Sequence, residues 1–136
     1  MRHPFEYAVL RVVPRVERGE CLNAGVLLYC RPLEHLGARV HLDPDRLAAL
    51  DPAADPVAIT RVLDAVVALC DGSTAGARYA GPAGAEDRGR RFRRLTAPRS
   101  TIVQPGPVHT GLTTDPEADL ARLLETLVLP PRPTPA

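Results

Sequence analysis

Apolar residues fall on consecutive rather than alternate positions in two early segments of the chain. Glu6 to Val13 reads Glu-Tyr-Ala-Val-Leu-Arg-Val-Val and stops at Pro14, as a strand would. Cys21 to Cys30 has the same character, and Arg18-Gly19 supplies a turn between the two. The pattern predicts a β-hairpin. Both strands are apolar on both faces, which places the hairpin at the centre of a sheet covered by helices. Ala38 to Leu42 offers a third, shorter strand. Ile102 to Val108 offers another, interrupted by Pro105 and Pro107 and therefore at an edge or bulged.

The period then changes to that of a helix. Asp43-Pro44, Asp51-Pro52, Asp55-Pro56 and Asp115-Pro116 each set a capping carboxylate before a proline suited to the first helical position. From Asp55, the residues Ile59, Val62, Leu63, Val66, Val67 and Cys70 form one apolar face that Gly72 ends. Near Thr114-Asp115-Pro116-Glu117, which resembles a capping box, a last helix begins with Leu120, Leu123, Leu124, Leu127 and Val128 as its stripe. Asp43 to Leu50 is a helical turn or two. Ser73 to Arg88 has no apolar period and reads as a surface loop. The sum is an α+β fold: an antiparallel sheet with an N-terminal β-hairpin and about three helices packed on one side of it. Residues 1–129 form one domain, and 130–136, with four prolines, form a disordered tail.

Composition narrows the function classes. The chain has 136 residues and net charge +1, so no general attraction to nucleic acid or membrane is expected. All 17 cationic side chains are arginine, which excludes lysine Schiff-base chemistry and a phosphate-loop lysine. The longest apolar run, Ala24 to Cys30, is far short of the ~20 residues of a membrane span. The amino terminus lacks the apolar core of a secretory signal, so a cytoplasmic location is expected. Three cysteines at uneven spacing form neither a disulfide framework nor a zinc motif, and read as reduced, mostly buried thiols. No metal and no cofactor are expected.

Polar residues break the pattern in two places, where sites are expected. In the first, Arg18 and Glu20 flank a glycine turn and can pair, while Asn23 and Gly25, two residues apart, are expected to share one face. Asn23 suits a backbone anchor, and Gly25 admits close approach of a backbone or ligand. In the second, Arg94 to Gln104, Arg99 stands beside the hydroxyls of Ser100 and Thr101, all good partners for phosphate or carboxylate. Gln104 and His109 follow. The candidates for ligand or partner binding are Arg18, Glu20, Asn23, Gly25, Arg94, Arg99, Ser100, Thr101, Gln104 and His109. None forms a catalytic motif, and no catalytic residue is assigned. Five arginines between Arg88 and Arg94 can track a nucleic-acid backbone. Aromatics at 4% and no tryptophan leave few stacking platforms, so a solvated or internally paired face is the better expectation.

Four blocks carry a family resemblance. They are Tyr7-Ala8-Val9-Leu10-Arg11-Val12-Val13-Pro14, the run Arg18-Gly19-Glu20 with Asn23 and Gly25-Val26, the run Phe92 to Gln104, and Val108-His109 with Gly111. In these the chain resembles a bacterial family known as domain of unknown function 3037. Ala97 and Gly106 stand where its pattern leads one to expect serine. The resemblance implies a small protein encoded beside HipA-like kinases, hence a partner or regulator, and brings no activity with it. A non-enzymatic binding or regulatory protein that docks on a partner is the leading expectation. In that reading the two polar stretches form one surface. The alternatives are a small enzyme acting on a phosphorylated or nucleotide substrate, and a nucleic-acid-binding protein using Arg88 to Arg94.

Overall fold

The computed structural model describes residues 1–71 and 87–133. Five antiparallel strands form its sheet: β1 His3–Val12, β2 Leu22–Cys30, β3 His35–Val40, β4 Val103–Pro105 and β5 His109–Thr113. The hairpin expected at the N-terminus is β1–β2, and β3 continues it as a meander. The far edge of β1 is shared. Its end near Leu10–Val12 pairs with β4, and His3–Tyr7 pairs with β5. The strand expected over Ile102 to Val108 is thus confined to β4, and β5 is an addition. Pro105 and Pro107 offer no amide hydrogen, so the ladder breaks between two short pieces.

Among the described residues four helices accompany the sheet: α1 Pro44–Leu50, α2 Pro56–Asp71, α3 Arg88–Leu95 and α4 Pro116–Leu127. Asp43, Asp55 and Asp115 cap α1, α2 and α4, each carboxylate accepting from backbone amides of the first turn. Asp51 does not start a helix. It closes α1, and its Oδ1 accepts from Ala53 N at 2.9 Å in a turn. At α4 the cap is Asp115 rather than a capping box from Thr114, and Thr113 Oγ1 accepts from Asp115 N at 2.9 Å. The fourth helix, α3, is the arginine run. Asp87 caps it, accepting from Arg90 N at 2.8 Å, and Phe92 and Leu95, one turn apart, are its buried residues. The loop expected from Ser73 to Arg88 lies outside the described residues as far as position 86. The tail expected from Pro130 lies outside them from position 134, and before that Arg132 Nη2 donates to Glu125 Oε1 at 2.8 Å.

Helices lie on both faces of the sheet, not on one side. Leu10, Val12, Leu22, Ala24 and Leu27 pack with Leu47 of α1, Ile59 and Leu63 of α2, and Phe92 and Leu95 of α3. On the opposite face Phe5, Val26, Leu28 and Cys30 pack with Leu120 and Leu123 of α4. The reason is the double-sided apolar pattern of β2, which needs two layers to bury it. A β-bulge adjusts this strand: Leu10 pairs with Gly25 and Arg11 with Asn23, leaving Ala24 as the extra residue. Asn23 and Gly25 consequently point to opposite faces, contrary to the expectation from simple alternation.

Charged groups fasten the outer helices. Arg93 of α3 grips Glu6 of β1 with Nη1 at 2.8 Å and Nη2 at 3.3 Å. Glu117 of α4 lies 3.2 Å from Arg39 Nη2 and 3.2 Å from His35 Nε2, both on β3. All three cysteines are free; Cys30 and Cys70 are buried and Cys21 is exposed, which corrects the expectation for that one. No helix among the described residues is long and apolar enough to cross a membrane.

Candidate functional site

The first polar stretch begins in a tight turn. Gly19 has φ +69°, a conformation side chains rarely adopt, and its N–H donates back to Arg15 and Val16 carbonyls. Arg18 and Glu20 meet as an exposed ion pair, and the Glu20 hydrogen bond raises the Arg18 pKa further. Asn23 Nδ2 donates to the Leu127 carbonyl at 3.0 Å, satisfying one of the last carbonyls of α4. Gly25 faces the larger core, where an added Cβ would lie 2.9 Å from Val40 Cγ1 and 3.0 Å from the Arg39 carbonyl oxygen. The close approach at Gly25 is to the protein's own β3.

The second stretch folds back on itself. Arg99 Nη2 donates to the Arg94 carbonyl at 2.6 Å and Nε to that of Ala97 at 3.4 Å, so its guanidinium caps the end of α3. Thr101 Oγ1 donates to the Val103 carbonyl at 2.8 Å, and Gln104 Nε2 to the Thr101 carbonyl at 2.7 Å. Val13 N donates to the Ile102 carbonyl at 2.6 Å, extending the β1–β4 ladder. These bonds hold the segment in a fixed course past α2.

Between that segment and α2 runs a groove of about 590 Å³. Its floor and walls are apolar, chiefly Ile59, Val62 and Val66 of α2 with Val16 and Ile102; Arg99, Ser100 and Thr101 form its polar rim. Val16, Val62 and Ile102 keep 42%, 49% and 46% of their surface exposed, so the groove leaves apolar area bare to water. Three of the residues singled out in the sequence therefore border one concave surface.

The other candidates go elsewhere. Asn23 and Gln104 both pair with Arg11, from opposite sides of β1, and in an antiparallel sheet such partners share a face. This cross-strand row is where the two polar stretches meet. His109 pairs with Tyr7 on β1, their rings 5.3 Å apart, and no carboxylate lies within ion-pair distance of it among the described residues. Of Glu20, Asn23, Arg99 and His109, only Arg99 lines any of the hollows seen among the described residues, and the other three line none of them. Within the arginine run, Arg93 holds Glu6, which raises its pKa, and Arg90 lies 3.8 Å from Asp87. Among the described residues no group of histidine, cysteine and carboxylate side chains is arranged to hold a metal ion.

The residues that sequence reasoning missed are Arg11 and the apolar wall of the groove. Val62 and Val66 were assigned to a helix's buried stripe, yet half of Val62 faces solvent. Arg11 carried a signal in plain view: a charge set between Leu10 and Val12 near the end of a largely apolar strand.

A family model for proteins of unknown function (DUF3037) matches residues 7–128. The chain belongs to the DUF3037 family. The match spans all five strands in part or whole and all four helices, so the groove and the Asn23–Arg11–Gln104 row both lie inside it. Neither the curated proteins nor the solved structures hold a match to the chain.

Proposed function

We propose that this DUF3037 protein is a non-enzymatic binding or regulatory module that docks on a partner protein through the groove between α2 and the Arg99–Val103 segment. The observation that carries this reading is the bare apolar surface of Val16, Val62 and Ile102, set in a concave wall beside Arg99. Exposed apolar area of this kind marks interaction sites more often than it survives by accident. The matching occupant is an apolar segment of the partner with an acidic residue at one end, which would meet the guanidinium of Arg99. The family resemblance makes a HipA-like kinase the partner to try.

Support for an enzyme is weaker, because among the described residues none of the hollows seen brings Glu20, Asn23, Arg99 and His109 together. Support for nucleic-acid binding is weaker too, because Arg93 and Arg90 of the basic helix are engaged with Glu6 and Asp87.

Co-expression with the kinase from the native host, followed by affinity purification, tests the docking reading. The native chain is expected to retain the kinase. Val62→Asp puts a charge on the half-exposed wall, so it should fold normally and lose at least tenfold in affinity. Failure of the native chain to bind the kinase, or undiminished binding by Val62→Asp, overturns the proposal.

A further inference from the structure

Arg11 is half-buried near the C-terminal end of β1, with Leu10 and Val12 on either side committed to the larger core. Its side chain emerges on the opposite face. There α4 packs over β2, β3 and the Phe5 end of β1. The guanidinium lies flat against Gly106: a Cβ added there would stand 3.1 Å from Cζ of Arg11 and 3.3 Å from its Nε and Nη2. Around it is a hollow of about 430 Å³ walled by Thr96, Pro98, Pro105, Pro107 and Val108. Prolines donate no backbone hydrogen bond, and the valine side chain offers none.

Among the described residues, no hydrogen bond or ion pair reaches the Arg11 guanidinium. It differs in this from Arg93, Arg99 and Arg39, each held by a carboxylate or a carbonyl. A guanidinium cannot shed its proton, and with its nitrogens open to solvent a counter-ion can reach it. The group that fits a planar fork of donors is a planar or tetrahedral oxyanion bound through two oxygens.

We infer that Arg11 and the hollow beside Gly106 form an oxyanion-binding site, taking the carboxylate or phosphate group of a small ligand. The site is independent of the α2 groove and uses none of its residues.

The test is an NMR titration of the isotopically labelled full chain at constant ionic strength, following the Arg11 Nε–Hε resonance. Inorganic phosphate and sodium acetate are the two probes, with sodium chloride as the control. Saturable movement of that resonance with phosphate assigns a phosphate ligand, and with acetate a carboxylate ligand. Arg11→Lys keeps the charge and loses the fork, and is expected to weaken binding about tenfold. Val62→Asp is expected to leave the titration unchanged, which separates this site from partner docking. Absence of a saturable response to both oxyanions, or an equal response to chloride, overturns the inference.

Discussion

Leu10 and Arg11 are neighbours on one strand and end in opposite surroundings. Leu10 is 2% exposed, under three helices, in a core that admits nothing more. Arg11 emerges on the face that α4 only half covers, beside Asn23 and Gln104. One side of the sheet is thus closed by α1, α2 and α3, while on the other α4 packs over β2, β3 and the Phe5 end of β1 and leaves Arg11 half-exposed. The difference shows where this fold has room for chemistry. A closed layer fixes every side chain by packing, whereas the half-covered face can present a charge to solvent without a packing penalty.

The largest effects are expected where the closed layer is opened. Phe92 is fully buried and its ring lies 5.5 Å from that of Tyr29, so it ties the basic helix α3 to β2. Phe92→Ala should cost about 3–5 kcal/mol in urea denaturation, against about 2–5 kcal/mol for Leu120→Ala under α4. A cost below about 1 kcal/mol for either variant would show that the layer holding that residue is not closed.

An intermediate effect is expected at the bulge that sorts side chains between the faces. Gly25→Ala would set a methyl 3.0 Å from the Arg39 carbonyl oxygen, which is backbone and cannot swing aside. A loss of about 1–3 kcal/mol in thermal or chemical denaturation is expected. An unchanged melting temperature would show that β3 slides freely against β2.

The smallest effect is a chemical one. Cys70 belongs to the closed layer, and burial pushes its thiol pKa up from 9.0 to about 12. The native state therefore holds the proton more tightly than the unfolded state, so stability falls as pH rises from about 9 toward 12. At pH 8 one thiol per native chain, exposed Cys21, should react quickly with an alkylating reagent, counted by mass spectrometry. Rapid labelling of Cys70 would place it outside the closed layer.

Much of the architecture was legible in the chain. The hairpin followed from two apolar runs and a glycine turn, and three helix starts followed from Asp-Pro caps. The double-sided apolar strands pointed to a sheet covered by helices, but those helices were expected on one side, and the second layer, α4 on the opposite face, was missed. The helix α3 was obscured because seven positions from Arg88 to Arg94 hold five arginines, and only Phe92 and Leu95 mark its buried side. Strand β5 was obscured because His109-Thr110-Gly111-Leu112-Thr113 has little apolar alternation and lies at an edge. The bulge left no local signal, and with it went the facing of Asn23 and Gly25. Of the candidate residues, Arg99, Ser100 and Thr101 border the groove, but the valines that give it character read as ordinary core.

The shared edge of β1 has a consequence for the order of events during synthesis. His3 pairs with Thr113, and Val12 with Val103, so one side of the first strand waits for partners made after β2, β3 and the helices α1 to α3. The β1–β2–β3 meander can form early from local contacts, while a central strand stays bare along one edge until the final third of the chain arrives. A chain truncated before Val103 would keep that edge permanently, and would be expected to recruit other chains in place of β4 and β5.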